Sequence, residues 1–512
     1  MKRMNMNMKR HAILVAALPL ALVLEAADFP LSGSGWTCDG EAVTVPHTWN
    51  AVDGADGLGV PKGQSGHNSA TSLSYARTVK TYRRALPAPK EGKRYFLRFD
   101  GACEKTAVRV NGREVGRHVG AFAGFVFEIT EALRSGDNVL EVEVDNRVDR
   151  SVPPDEGDFT MFGGLYRDVT LIEKPLVCID PRVPVAVTAD PKTGRAEVTY
   201  TVYGKGEEKK TFDFGKPELW SPENPKLYEA TVRAGEDAET VRFGFRTITT
   251  DPKTHSVFVN GHRTFLRATL ECCNFALTGA PATSKADWRE IFRRLKFEDG
   301  LNAVRFHSWT PPKAAFDAAD ELGLYLLPEA DIWTDRWMKG ADPVGKGKSV
   351  DGFVLREFDA ILGAYGNSPS FATLAIGNEL GGTDFKVCGE WMKDLKRKDP
   401  RHLYFVSTAR EVSAGDEIEV THAIPGVGSC RTHLQASTDW DYESVYSRGK
   451  VPVMSHEIGQ WPVYLMWSEL AKYMGVLKPY NIEQYRRVAE ANGVLDRNPR
   501  YHEASAKLSR LF

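Results

Sequence analysis

The sequence predicts a multidomain chain in which two successive β-sandwiches precede a (β/α)8 barrel of the TIM type, the barrel incomplete at its carboxyl end. Three observations lead there. The 512 residues amount to about three domains at roughly 100 to 200 residues each. Residues 28–250 carry repeated period-2 alternation of apolar and polar side chains, the mark of half-buried strands. Beyond 250, short apolar strands alternate with helical patterns, which means parallel β/α units.

Residues 1–27 open with Lys2, Arg3, Lys9 and Arg10, continue through an apolar run at 12–24 and reach the small Ala26 and Ala27. That is the layout of a secretory leader, so export to the periplasm or the medium is expected. The run is shorter than the ~20 residues that span a bilayer and contains Pro19, so no membrane insertion is expected. From 28 to 177 the segments RYFLRFD (94–100), TAVRV (106–110) with the turn pair Asn111-Gly112, and VLEVEV (139–144) read as sandwich hairpins. From 178 to 250 come VPVAVTA, AEVTYTVY, LYEATVR and TVRFGFR, strands at the spacing of an Ig-like domain.

From 251 to 512 the barrel is expected. Its strands are LNAVRF (301–306), LYLLPE (324–329), FATLAI (371–376), LYFVST (403–408) and VPVMS (451–455), with a first strand near 264–270. Pro residues open the helix that Gly323 closes, and further helices are expected near 351–364 and 384–397. A doubly wound sheet would carry a Gly-rich turn after its first strand, and none is present. After Glu457 the sequence reads as helices near 467–474 and 481–491 without an eighth strand. A truncated form of a longer product, weakly active or inactive by itself, is therefore expected; the alternative is a divergent strand around Gly493-Val494-Leu495.

Lys plus Arg total 66 against 68 for Asp plus Glu, a balance that offers no field for nucleic acid. The seven cysteines are too few and too scattered for a disulfide scaffold, and their odd number leaves at least one unpaired. Nothing in the sequence fixes an oligomeric state.

Barrel chemistry sits just beyond the carboxyl ends of the strands. There the sequence places Arg305 and His307, Glu329 with Asp331 and Trp333, Gly377-Asn378-Glu379, and His456-Glu457 followed by Trp461. Two carboxylates on different strands sharing one mouth are what glycoside hydrolysis requires, and Glu379 and Glu457 are the candidates, with carboxyl oxygens expected ~5.5 Å apart. Trp461 could stack on a pyranose or simply pack. His456-Glu457 lacks the second His of a zinc protease, and no GxSxG elbow is present for a serine esterase.

Six segments in order carry a resemblance: MFGGLYRDVTL (161–171), LWSPENPKLYEATV (219–232), FGFRTI (243–248), FVNGHRTFLRATLE (258–271), FDAADELGLYLLPE (316–329) and NSPSFATLAIGNEL (367–380). Together the chain resembles glycoside hydrolase family 2, the group of β-galactosidases, β-glucuronidases and β-mannosidases. The resemblance implies that 28–177 is a sugar-binding jelly roll and that the protein is a retaining, exo-acting β-glycosidase on an oligosaccharide or polysaccharide, a β-galactoside or β-glucuronide first among substrates. It implies Glu379 as acid/base, Glu457 as nucleophile and Asn378 as the residue that holds the sugar 2-hydroxyl. Arg305, His307, Glu329, Trp333, His422 and Trp461 are the other expected substrate-binding residues, and neither metal nor cofactor is required. The sequence departs from the family in having His307 two rather than three residues after Arg305, and His422-Ala423-Ile424 where His-x-Tyr is common. A noncatalytic carbohydrate-binding protein or inactive fragment on the same scaffold is the competing reading.

Overall fold

A computed structural model describes residues 27–53, 75–153, 160–335, 342–422, 443–447, 449–457 and 463–510. The leader-like residues 1–26, Trp461 and Cys430 lie outside the described residues.

The amino-terminal part is built from a four-stranded and a six-stranded antiparallel sheet. Alternation decides which side chains go inside. In Asn138–Asp145, Leu140, Val142 and Val144 are buried while the residues between them are less so. They share one core with Tyr95, Leu97 and Phe99 of the other sheet, which makes the pair a sandwich. The next segment is smaller, with three strands over 186–213 and the hairpin Tyr228–Ala234 with Asp237–Phe243. Val198, Tyr200, Val232 and Phe243 close a core between these two sheets.

Beyond Ile248–Thr264, an antiparallel three-stranded sheet, pairing turns parallel. Ala268–Glu271, Ala303–Phe306 and Tyr325–Leu327 pair in that order; Thr373–Ala375 pairs with Leu403–Phe405, and Glu419–Thr421 with Val453–Ser455. The three sheets are joined in chain order, Ala372 N–H donating to Leu326 O at 3.0 Å and Ala409 N–H to Val420 O at 2.9 Å. Tyr325–Leu327, Thr373–Ala375 and Leu403–Phe405 are buried on both faces, as parallel strands covered by helices must be. Ala303, Leu327, Ala375, Phe405 and Val420 form an inner core, and the helices cover the other face.

The intervening helices start and stop where the sequence provides caps. Ser284 accepts from Asp287 N ahead of Lys285–Phe297, and Asp384 accepts from Lys386 N and Val387 N ahead of Phe385–Lys398. Lys313–Leu322 follows Pro312 and ends at Gly323, whose φ of 77° is the left-handed closure that glycine adopts without strain. After Val453–Ser455 the described residues contain helices at Tyr480–Ala491 and Asn498–Ser509 and no further strand. The carboxyl segment returns to the loop after the first parallel strand, where Leu477 N–H donates to Ala276 O at 3.0 Å.

Buried cations lock the parts together. Arg167 of the first sandwich donates to Thr310 O at 2.8 Å, and Arg246 donates to Pro369 O, Phe371 O and Arg401 O. The site therefore sits on strands whose flanking domains are fixed by directed hydrogen bonds. No helix among the described residues is long and apolar enough to cross a membrane.

Candidate active site

The carboxyl ends of the second, third, fourth, sixth and seventh parallel strands converge on Arg305. This residue belongs to the second strand itself, and its Nε donates to Glu329 Oε1 at 2.7 Å. Its Nη2 donates to Asn378 Oδ1 at 2.7 Å, and its Nη1 lies 3.6 Å from Glu457 Oε1. Glu329, 1% exposed, also accepts from Ser308 N at 2.8 Å. Glu329 is thus a buried counter-charge that aims Arg305.

Glu379 reaches the same mouth from the fourth strand through a turn that only glycine permits. A Cβ on Gly377 would lie 2.1 Å from Ile332 O, so this backbone packs directly against the loop after the third strand. Asn378 N–H donates to Ile332 O at 2.8 Å, and Trp333 forms a parallel bridge with Asn378. Glu379 itself has φ of 41°, a left-handed conformation costly for a residue with a side chain and common where a site dictates the backbone. Burial raises the Glu379 carboxyl above its ordinary range, and the negative charges of Glu457 and Asp335 add to this against Arg410 and Arg305.

Glu457 is half-buried, its Oε1 near three cationic or imidazole groups: Arg305 at 3.6 Å, His307 Nε2 at 3.7 Å and His456 Nε2 at 3.9 Å. Only the arginine carries a fixed charge. Burial, with Arg305 beside it, lowers His307 to about 3, and burial depresses His456 and His422 as well. Trp333 packs edge-on against His307 with ring centroids 4.7 Å apart, and both rings are nearly enclosed.

Two histidines and the asparagine form a directional chain. Asn378 Oδ1 accepts from Arg305 and lies 3.0 Å from His456 Nε2, so His456 donates there and turns the lone pair of its Nδ1 toward His422 Nε2 at 2.7 Å. Asn378 Nδ2 is buried with no hydrogen-bond partner among the described residues, a donor free for a hydroxyl. Ligand atoms of Glu379, His422 and His456 all lie within 4.8 Å of one another, a set able to hold a metal ion.

The structure therefore brings together Arg305, His307, Glu329, Trp333, Asn378, Glu379, His422 and Glu457. Sequence reasoning missed three neighbours. Arg410 lies 3.3 Å from Glu379 Oε1 and is held by Asp335 at 2.6 Å, and His456 joins them by its contact with Asn378. Arg410 follows a strand end, as Glu379 does, so the rule that found the carboxylates also reaches it.

Comparison with known proteins agrees with this architecture. Residues 35–175 match the model of the glycosyl hydrolases family 2 sugar binding domain, and residues 183–246 match that of glycosyl hydrolases family 2. Over these two segments the chain is similar to glycoside hydrolase family 2. It is 26% identical over 429 residues to a β-glucuronidase of Bacteroides fragilis, covering 71% of this chain and 57% of that protein. It is 27% identical over 301 residues to a β-galactosidase of Thermoanaerobacter pseudethanolicus, covering 50% of this chain and 40% of that one. Among solved structures, the FMN-binding β-glucuronidase from Facaelibacterium prausnitzii L2-6 superposes with a TM-score of 0.65 at 26% identity, over 78% of this chain and 67% of that chain. The chain spans about half the length of the curated relatives it matches.

Proposed function

We propose that this chain is a retaining exo-β-glycosidase of family 2 acting on terminal β-galactosides or β-glucuronides of oligosaccharides or polysaccharide side chains, and that its leader-like residues 1–27 direct it out of the cytoplasm. In this reading the parallel strands are seven units of a (β/α)8 barrel, the segment 178–250 is an Ig-like domain, and the first sandwich is the family's jelly roll. The observation that carries the reading is the asymmetry between two carboxylates in one mouth. Burial raises the proton affinity of Glu379 against Arg410 at 3.3 Å, with Glu457 adding to the rise, while Glu457 faces the fixed charge of Arg305 at 3.6 Å.

That asymmetry assigns roles. Glu379 holds a proton for the departing glycosidic oxygen, and Glu457, negatively charged beside Arg305, attacks the anomeric carbon from the opposite face. A covalent glycosyl-enzyme forms as the C–O bond to the leaving group breaks, and that group takes the Glu379 proton. Water, deprotonated by Glu379, then releases the sugar with its configuration retained. Asn378 Nδ2, buried and unpartnered among the described residues, is placed to donate to the 2-hydroxyl. Relatives named β-glucuronidase and β-galactosidase support the two substrate classes.

The test is a panel of nitrophenyl β-glycosides of galactose, glucuronic acid, glucose and mannose, with the anomer first released followed by NMR. A β-anomer as first product supports the mechanism. An α-anomer would mean inversion, and binding without turnover would favour the carbohydrate-binding alternative.

A further inference from the structure

The mouth contains a second arrangement that glycoside hydrolysis does not use. His422 Nε2 and His456 Nδ1 face each other at 2.7 Å, with ring planes crossing at 69°, and one ligand atom each of Glu379, His422 and His456 lie within 4.8 Å of one another. Of these three groups, the proposed hydrolysis uses the Glu379 carboxylate in its chemical steps. Two neighbouring imidazole nitrogens beside a carboxylate oxygen are a donor set suited to zinc-class cations rather than to magnesium or calcium.

The surroundings favour such a cation in three respects. Asn378 Oδ1 takes the His456 Nε2 proton at 3.0 Å, and Asn378 is itself fixed by Arg305 at 2.7 Å; this is the outer hydrogen bond by which metal-ligating histidines have tautomer and ring plane set. His456 is 4% exposed, so its Nδ1 lone pair is held in place rather than searching solvent. Arg410, the cation nearest Glu379 at 3.3 Å, is paired with Asp335 at 2.6 Å, which offsets part of its charge.

We propose that Glu379, His422 and His456 form a binding site for a zinc-class divalent cation, and that the bound ion switches the enzyme off by occupying the acid/base. The switching half rests on the glycosidase reading; the binding half does not. Tetrahedral zinc with bonds of roughly 2.0–2.1 Å needs its two nitrogens about 3.3 Å apart, so the rings separate by a few tenths of an ångström as the ion replaces the shared proton. That proton moves from Nε2 to Nδ1 of His422. A proton on Glu379 is released to solvent, and with its lone pair on the metal Glu379 can no longer protonate a leaving group. Water takes the fourth position, where the sugar's leaving oxygen would stand.

The experiment uses the full chain, freed of metal by chelator and titrated with zinc chloride by calorimetry, with cobalt(II) absorption as a second probe. One ion per chain is expected, with intense visible bands typical of tetrahedral cobalt and at least a tenfold loss of affinity in His422→Ala. Should that variant lose its native circular dichroism, His422→Gln preserves volume and hydrogen bonding and is read the same way. Absence of stoichiometric binding, or binding that His422 substitution leaves intact, overturns the site. Zinc should also inhibit turnover, a chelator should restore it, and loss of affinity should be matched by loss of inhibition; activity unaffected by saturating zinc overturns the switch. A chain that binds one zinc through His422 yet cleaves no glycoside refutes the glycosidase reading and supports the site. A chain that cleaves glycosides but binds no zinc does the reverse.

Discussion

Arg305 Nη2 donates to Asn378 Oδ1 at 2.7 Å, and the same guanidinium binds Glu329 at 2.7 Å and faces Glu457 at 3.6 Å. One planar cation thereby fixes the ends of the third, fourth and seventh parallel strands relative to the second. Arg305→Met should destabilise the protein by about 3–5 kcal/mol, because Glu329 is left buried and without its counter-charge. Urea unfolding measures this, and adding Glu329→Gln should recover part of the loss. A single-variant cost below about 1 kcal/mol would place the pair among inconsequential surface bridges. Arg305→Lys should rescue stability only partly, since an ammonium cannot serve the fork of partners at once.

Gly377 is held by steric contact. A methyl group there would lie 2.1 Å from Ile332 O, a contact that backbone must move to relieve. Gly377→Ala should cost about 1–3 kcal/mol. The displaced turn carries Asn378 and Glu379, so kcat should fall more than KM rises. Unchanged kinetics would mean that the turn is not what aims the acid.

Much of this was legible in the residues. Period-2 alternation located both sandwiches, and apolar runs followed by chemistry-bearing residues located Glu379 and Glu457 at strand ends, because parallel strands must be apolar until they leave the sheet. The partnerships were not legible. That Glu329 is buried and bound to Arg305 is not legible, because position alone cannot tell a side chain that faces the mouth from one enclosed beneath it. His456 and His422 are 34 residues apart and meet only because the sixth and seventh strands are neighbours in register, Thr421 opposite Ser455. Pairing of this kind is set by tertiary register, which periodicity does not encode.

The seam between the first sandwich and the parallel strands should make stability pH-dependent. Glu357 is 2% exposed and lies so close to Gly120 that a Cβ there would sit 2.1 Å from its Oε1. Burial raises Glu357 to about 8, and burial with Glu357 nearby also raises Asp331. Between the ordinary carboxyl value of 4.5 and about 8, the folded protein therefore holds a proton at Glu357 that the unfolded chain has lost. Stability contributed by this group is complete below that window and falls as pH rises through it. Thermal unfolding across the window should show a smaller decline in Tm for Glu357→Gln than for the native chain. Equal slopes would remove Glu357 as the cause.

The sharpest test of role assignment separates Glu379 from the cation beside it. Glu379→Gln removes the proton donor but little volume, so substrates with poor leaving groups should slow by roughly 10²–10⁴-fold, and activated aryl glycosides far less in their first step. Arg410 acts differently, because at 3.3 Å it favours the ionised form of Glu379 and opposes the raising effect of burial and of Glu457. Its removal in Arg410→Gln should let the Glu379 carboxyl rise further, so the alkaline limb of the pH–rate profile moves to higher pH while the acidic limb, governed by ionisation of Glu457, moves much less. In Asp335→Asn the opposite holds: Arg410 is relieved of its partner and one negative charge near Glu379 is gone, so the alkaline limb should move down. Opposite displacement of one limb by two substitutions is not expected of general destabilisation, which lowers the whole profile. If both variants moved the limb the same way, or if the acidic limb moved instead, Glu379 would not be the group whose proton is spent on the leaving oxygen.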